Sequence, residues 1–226
     1  DLNKFSGVSK QIGSSMKSVG EIMAIGRNFE EAIQKGLRMI GLGMHGFVGN
    51  SDEITIKTIE DELVNPTDRR IFAIAEAFNK GYSVEEIYDK TKIDRWFLQK
   101  LQHIYRQRCE LYTYNSLSDL PDEVLLQAKK YGFSDFQVAR MVLKPSAREM
   151  EEGMLSVRKH RKKRGITPFV KQIDTLAGEY PALTNYLYMT FNASENDVDF
   201  PRDDRSVVVL GSGAYRIGKN NDGSIV

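Results

Sequence analysis

Apolar residues recur at intervals of four, four and three at Phe29, Ile33, Leu37 and Ile40, the spacing of one helix face. Asn28 precedes them with a side-chain oxygen suited to the unpaired amides of a first turn, and Glu31 stands three residues on. The pattern predicts a helix that begins at Asn28 and is stopped by Gly41 and Gly43. Residues 21–25 ahead of it read as a short extended run ended by Gly26. Residues 41–50 lose the apolar period and collect turn formers, which marks a first boundary. Beyond it Asn65-Pro66 reads as an N-cap with proline at the first helical position. Ile71, Ile74, Ala75 and Phe78 then fall on one face, and Gly81 closes the helix.

An internal echo follows. Gly81-Tyr82-Ser83-Val84-Glu85-Glu86-Ile87 and Gly132-Phe133-Ser134-Asp135-Phe136-Gln137-Val138 share one pattern: glycine ends a helix, an aromatic packs at the junction, and serine starts the next helix with Glu86 or Gln137 three residues later. That is a capping box twice over. A third is expected at Ser146 and Glu149 after Pro145, with its helix reaching Arg164 before Gly165. Residues 65–164 therefore read as short helices joined by sharp turns. After Gly165 the texture becomes β, with aromatic and branched residues over 169–173 and 185–191 and a break at Glu179-Tyr180-Pro181. Residues 192–205 read as a polar linker. Residues 207–210 form an apolar run of the kind found in buried parallel strands, entering Gly211-Ser212-Gly213.

With 226 residues and 41% hydrophobic content the chain can bury at least one sizeable core. Its 32 basic and 31 acidic residues nearly cancel, so no global field favours nucleic acid or an anionic membrane. Cys109 is the only cysteine, which excludes an internal disulfide and favours a reducing compartment. It reads as a small buried hydrophobe. Six residues separate it from His103, about 240° around a helix, so the two do not share a metal. No apolar run approaches the roughly 20 residues of a membrane span. The chain begins at Asp1, which reads as an excised or processed piece.

The candidate chemistry is sparse. Ser83 through Leu98 has the rhythm of a helix-turn-helix, yet Trp96, Phe97, Leu98 and Leu101 occupy positions where base reading needs polar side chains, and they read as core or interface. A nucleic-acid role requires the Trp96 helix to share an exposed face with the basic run Arg158-Lys159-His160-Arg161-Lys162-Lys163-Arg164. That run follows Glu149, Glu151 and Glu152, so the charges also match the helix dipole. Gly211 and Gly213, with Arg216 beyond, offer exposed amides and a guanidinium to an anion. Lys17, Glu21 and Arg27 flank the first extended run. Glu30-Glu31 and Glu85-Glu86 read as helix starts, and no catalytic arrangement stands out.

Five blocks in order carry a family resemblance. Met16-Lys17-Ser18-Val19-Gly20-Glu21 with Ala24-Ile25-Gly26-Arg27 and Phe29-Glu30-Glu31-Ala32 resembles the end of the first ATP-grasp unit of carbamoyl-phosphate synthase. Ile93-Asp94-Arg95-Trp96-Phe97-Leu98 and Gly132-Phe133-Ser134-Asp135 resemble its helical oligomerisation domain. Val170-Lys171-Gln172-Ile173-Asp174-Thr175-Leu176 with Thr184-Asn185-Tyr186-Leu187-Tyr188 resembles that domain's exit. Val209-Leu210-Gly211-Ser212-Gly213 with Arg216-Ile217-Gly218 resembles the opening of the second synthetase half. Gly178, Leu183 and residues 219–226 depart from the pattern.

The resemblance implies a mainly α fold: a helical connection or oligomerisation domain with short β segments, flanked by fragments of α/β ATP-grasp and pre-ATP-grasp units. It places the end of the first ATP-grasp unit at 1–44, the helical domain at 45–202, and the first strand and glycine-rich turn of the second half at 203–226. The implied role is a non-catalytic connector of a cytoplasmic, glutamine-dependent enzyme of the multifunctional pyrimidine-pathway type. The implied partners are the flanking synthetase domains, a glutaminase domain or subunit and further copies of the chain, with neither nucleic acid nor membrane. ATP, magnesium and potassium are implied for the whole enzyme and no cofactor for this segment.

Overall fold

The computed structural model describes residues 7–40, 43–50, 58–183, 186–199, 207, 209, 215 and 216. Side-chain caps mark four of the eight helix starts among the described residues. Helix α1 (Phe29–Met39) begins where expected, with the Asn28 side chain accepting from the Glu31 amide at 2.7 Å. Its burial pattern departs from the apolar period. Leu37 is buried and Phe29, Ile33 and Ile40 lie partly exposed against the core, while the fully buried face also carries Glu30, Glu31 and Gln34.

The next start is misplaced by the sequence pattern. Asn65 is the C-cap of α2 (Ile59–Val64), its Nδ2 donating to Asp61 Oδ1 at 2.7 Å, and α3 (Arg70–Asn79) begins five residues later. The Thr67 hydroxyl donates to Glu62 and accepts from the Arg69 amide, holding Asn65-Pro66 in the turn between two helices.

Both echoed capping boxes form as expected. In α4 (Val84–Thr91) Ser83 accepts from the Glu86 amide at 3.2 Å, and the Glu86 carboxylate takes the Ser83 amide at 2.8 Å. In α7 (Asp135–Val142) Ser134 and Gln137 make the same exchange at 3.1 and 2.9 Å. The preceding Gly81 and Gly132 have φ of +86° and +83°. The third box is only half made. Glu149 accepts from the Ser146 amide and hydroxyl, but no serine oxygen caps α8 (Met150–Lys163), because Ser146 to Glu149 forms a backbone turn first.

Helix α5 (Arg95–Tyr112) lies at the centre, packing against α1, α3, α4, α7 and α6 (Asp122–Lys130). Its buried residues Leu98, Leu101, Ile104 and Leu111 meet Ile74 and Phe78 of α3, Leu125 of α6 and Val138 and Met141 of α7 in one core. Each such side chain contributes about 1.5–3 kcal/mol of burial. Trp96 and Phe97 are not in that core. They stand 49% and 43% exposed, with their rings 5.7 and 5.4 Å from Phe29. Cys109 is exposed too, rather than the small buried hydrophobe expected.

The expected β texture yields an antiparallel pair, β2 (Phe169–Gln172) and β3 (Leu187–Thr190), in register from Phe169 opposite Thr190 to Gln172 opposite Leu187. The extended run at 21–25 contributes a shorter strand than its apolar content suggests, β1 (Gly20–Glu21). It pairs antiparallel with β4 (Tyr215–Arg216). Of the apolar run at 207–210, Val207 and Val209 are described, and both are more than four-fifths exposed rather than buried. The mainly helical fold with short β segments is otherwise as expected.

Candidate functional site at the entry and exit seam

Helix α1 carries a polar seam that binds the chain entering the helical body to the chain leaving it. Glu31 is 1% exposed. Its Oε2 accepts from the Arg27 backbone amide (3.0 Å), the Thr190 hydroxyl of β3 (2.9 Å) and the Asn192 side-chain Nδ2 (2.9 Å), while Oε1 takes the Lys35 ammonium at 2.7 Å. Lys35 donates to the Ile25 carbonyl of the incoming run at 2.9 Å and to the Met189 carbonyl of β3 at 2.7 Å. Ile22 and Ala24 lie over α1 at Gly36, where even a Cβ would make only ordinary contact, 3.4 Å from Ile22 Cδ1. One carboxylate and one ammonium thus join the incoming run and the start of α1 to the hairpin about 155–160 residues on.

The next turns of α1 bind the α6–α7 junction. Gln34 donates to the Tyr131 carbonyl at 3.0 Å, and its Oε1 accepts from the Phe47 amide and from Gln137 Nε2. Gln137 also donates to the Val48 carbonyl at 2.7 Å. Arg38 donates to the carbonyls of His45 and Gly132 at 3.1 and 2.9 Å. Burial pushes the Arg38 guanidinium down to about 10, with the Glu31 carboxylate opposing the shift. On the other flank Glu30, 2% exposed, pairs with His103 Nδ1 at 2.9 Å and Lys100 at 3.5 Å.

A second buried charge group anchors the outgoing hairpin. Lys129 (5% exposed) donates to the Phe133 carbonyl at 2.6 Å and to Asp135 at 2.8 Å, and Arg161 of α8 reaches both Asp135 oxygens at 3.0 Å. The Phe191 ring just beyond β3 lies 5.1 Å from the Lys129 ammonium and 5.5 Å from the Arg161 guanidinium, in cation–π contact with both. Burial outweighs Asp135 at the ammonium and pushes Lys129 down to about 8. Burial works to raise the Asp135 carboxyl, but Lys129 and Arg161 overcome it and hold it below the ordinary range.

Glu31 shows the same contest: burial raises its carboxyl, and the bonds from Lys35, the Arg27 amide, Asn192 and Thr190 bring it below the ordinary 4.5. Its contribution to stability is full above 4.5 and is lost as pH falls through the lower folded value, because the unfolded chain takes up the proton first. Glu31→Gln is expected to cost about 1–3 kcal/mol at pH 7. It also flattens the acid limb of a urea-midpoint profile taken from pH 7 to pH 3. Parallel profiles for the two proteins would show that the charge contributes nothing.

The residues singled out from sequence lie elsewhere. Gly211 and Gly213 are outside the described residues, and Arg216 is placed only as the β4 residue opposite Gly20. The Lys17 ammonium is engaged by the carbonyls of Ser9 (3.0 Å) and Gln11 (2.8 Å). Glu21 pairs with Tyr215, and Arg27 enters the seam through its amide. Arg161 and Arg164 of the basic run are committed within the chain, to Asp135 and Asp122. The first turn of α5 presents Trp96 and Phe97 beside Phe29, not the polar row that base reading needs. Among the described residues no group of three His, Cys, Asp or Glu is placed to hold a metal.

The helical body thus has its incoming and outgoing segments bonded to each other, and similarity to known proteins places it in a family. Residues 21–165 match the family described as carbamoyl-phosphate synthetase large chain, oligomerisation domain. The chain belongs to this family. The multifunctional protein URA2 of Saccharomyces cerevisiae is 50% identical over 221 residues, 97% of this chain and 9% of that protein. The carbamoyl phosphate synthase arginine-specific large chain of Eremothecium gossypii is 51% identical over 221 residues, 97% of this chain and 19% of that one. The multifunctional protein pyr1-3 of Dictyostelium discoideum is 48% identical over 220 residues, again 97% of this chain and 9% of the relative. The chain thus spans between about a tenth and a fifth of the length of these relatives. Sequence reasoning found this oligomerisation domain but not its seam. Asn28, Glu31, Ser134 and Gln137 are legible as capping residues, while the bonds that Glu31 and Gln137 make across the fold have no local signal.

Proposed function

We propose that this oligomerisation domain is a non-catalytic connector in a glutamine-dependent carbamoyl-phosphate synthase that makes carbamoyl phosphate for the pyrimidine pathway. It holds two ATP-using halves in register and associates with further copies of itself. The observation that carries the reading is the three-way junction at Lys35, where the incoming run, α1 and the outgoing hairpin share one ammonium. The pairing of β1 with β4 brings the same two directions of chain together again. On this reading residues 1–44 end the first ATP-grasp unit, 45–202 form the connecting domain, and 203–226 open the second half. Gly211, Gly213 and Arg216 then form an anion-binding turn of that second half. The partners are the flanking ATP-grasp units and a glutaminase domain or subunit, in the cytoplasm, and the ATP, magnesium and potassium of the whole enzyme are used outside this segment. Among the described residues no helix is long and apolar enough to cross a membrane.

Light scattering over a concentration series tests the association. The chain is expected to form a larger species as concentration rises, and a strictly monomeric mass throughout would overturn it. ATP hydrolysis by the isolated chain would overturn the non-catalytic assignment.

A further inference from the structure

The exposed face of α8 has a charge order that fits a second copy of itself. Glu151 and Glu152 lie in its first turn, Leu155 follows, and Arg158, Lys159 and Lys162 lie in its last two turns. At 100° per residue these six fall within about 120° of arc, one continuous stripe. All six are exposed, Leu155 to 48%, while Gly153, Val157 and Arg161 on the opposite side pack on the body. None of the five charged residues of the stripe makes an ion pair or a side-chain hydrogen bond among the described residues. By contrast Arg161 and Arg164, outside the stripe, are both paired internally.

The stripe is therefore acidic at one end, apolar near the middle and basic at the other, with about 16 Å between Glu151 and Lys162 at 1.5 Å per residue. A parallel partner of the same sequence sets like charge against like. An antiparallel one, related by a two-fold axis near Leu155, sets Glu151 and Glu152 against the basic residues of its mate and brings the two leucines together. Such self-complementarity is what an isologous interface requires. We infer that two copies of this chain associate through antiparallel pairing of their α8 helices, with Leu155 at the axis and the glutamates opposite the basic residues of the mate. The inference rests on the proposed self-association and names the face that performs it. One pair of helices buries a small area, so the contact is weak and salt-sensitive.

Charge reversal in the full 226-residue chain, read by sedimentation equilibrium, tests it. Glu151→Lys with Glu152→Lys is expected to weaken self-association by about tenfold or more, and so is Arg158→Glu with Lys159→Glu, since a two-fold axis at Leu155 sets Glu152 against Arg158 and Glu151 against Lys159 and each double variant then creates like-charge contacts at both ends of the pair. An equimolar mixture of the two double variants restores association as a heterodimer, and 0.5 M salt weakens the parent chain. All substituted positions are exposed, and circular dichroism confirms that each variant is folded. If the parent associates while both double variants associate equally well, the α8 interface is wrong and the connector reading survives. If the variants weaken association and the mixture does not recover it, antiparallel charge pairing is wrong. A parent chain that is monomeric throughout overturns both the interface and the self-association it rests on.

Discussion

Gly132→Ala is expected to destabilise the chain by about 3 kcal/mol or more, whereas Gly81→Ala costs about 1–2 kcal/mol, although the two glycines have nearly the same φ. Both sit at the left-handed position before a serine-capped helix, so the backbone penalty for a side chain is common to them. The surroundings differ. A Cβ on Gly81 meets nothing within 4 Å. On Gly132 it lies 2.9 Å from Glu31 Cα, 3.1 Å from the Glu31 carbonyl oxygen and 3.3 Å from Gln34 Cβ. The first two are backbone atoms of α1 and cannot swing aside, so the helix itself must shift, straining the bonds from Gln34 to Tyr131 and from Arg38 to Gly132. Urea denaturation of the two variants measures the difference. Equal losses would mean that α1 does not pack on this turn as closely as described.

A loss of similar size is expected from Asp135→Asn. The substitution keeps the side-chain shape and removes the one carboxylate between Lys129 and Arg161, leaving two buried cations with a neutral partner. Removing one partner of a buried ion pair typically costs about 3–5 kcal/mol. Adding Lys129→Met to that variant is expected to recover part of the loss, because the uncompensated ammonium is then gone. The ionisation of Lys129 gives an independent readout. Its folded value of about 8 lies below the ordinary 10.5, so between these pH values the unfolded chain holds a proton that the folded one has released, and this group makes stability rise with pH. Without Asp135 the folded value drops further and the rise begins at lower pH. Urea midpoints from pH 6 to pH 10 show whether it does, and an unmoved onset would mean that Asp135 does not stabilise the ammonium.

What could be read in advance followed the range over which each signal acts. Ser83 with Glu86 and Ser134 with Gln137 are three residues apart, so their capping boxes are complete within one turn of sequence. The helix at Asn28 and the strands at 169 and 187 were legible for the same reason. Asn65-Pro66 misled because proline suits the turn after a helix as well as the first turn of one, and only the Thr67 bonds to Glu62 and Arg69 decide between them. Trp96 and Phe97 read as core or interface by type, and both stand exposed beside Phe29, although Phe97 falls on the helix face of Leu101 and Ile104. Cys109, read as buried, is exposed although it lines up with Leu98 three turns away, so burial along α5 is set by what packs on each turn and not by residue type or face alone. Glu31 was legible as a helix-start acid, whereas its bonds to Thr190 and Asn192 span about 160 residues and leave no periodic trace. The same holds for the bond between Gln34 and Gln137.

The antiparallel pairing of Gly20 with Arg216 and Glu21 with Tyr215 places the two flanks of the domain at the same edge of a two-rung ladder. Mechanically this is a clasp. Tension drawn between the chain ahead of Gly20 and the chain beyond Arg216 opens the rungs one after another, in the unzipping direction. Behind the rungs the outgoing chain is held next by Asp197 on Val170 and Gln172 and by Asn192 on Glu31, and the incoming chain by the Lys35 tether to Ile25. The two rungs are thus the first contacts between the flanks to take such a load.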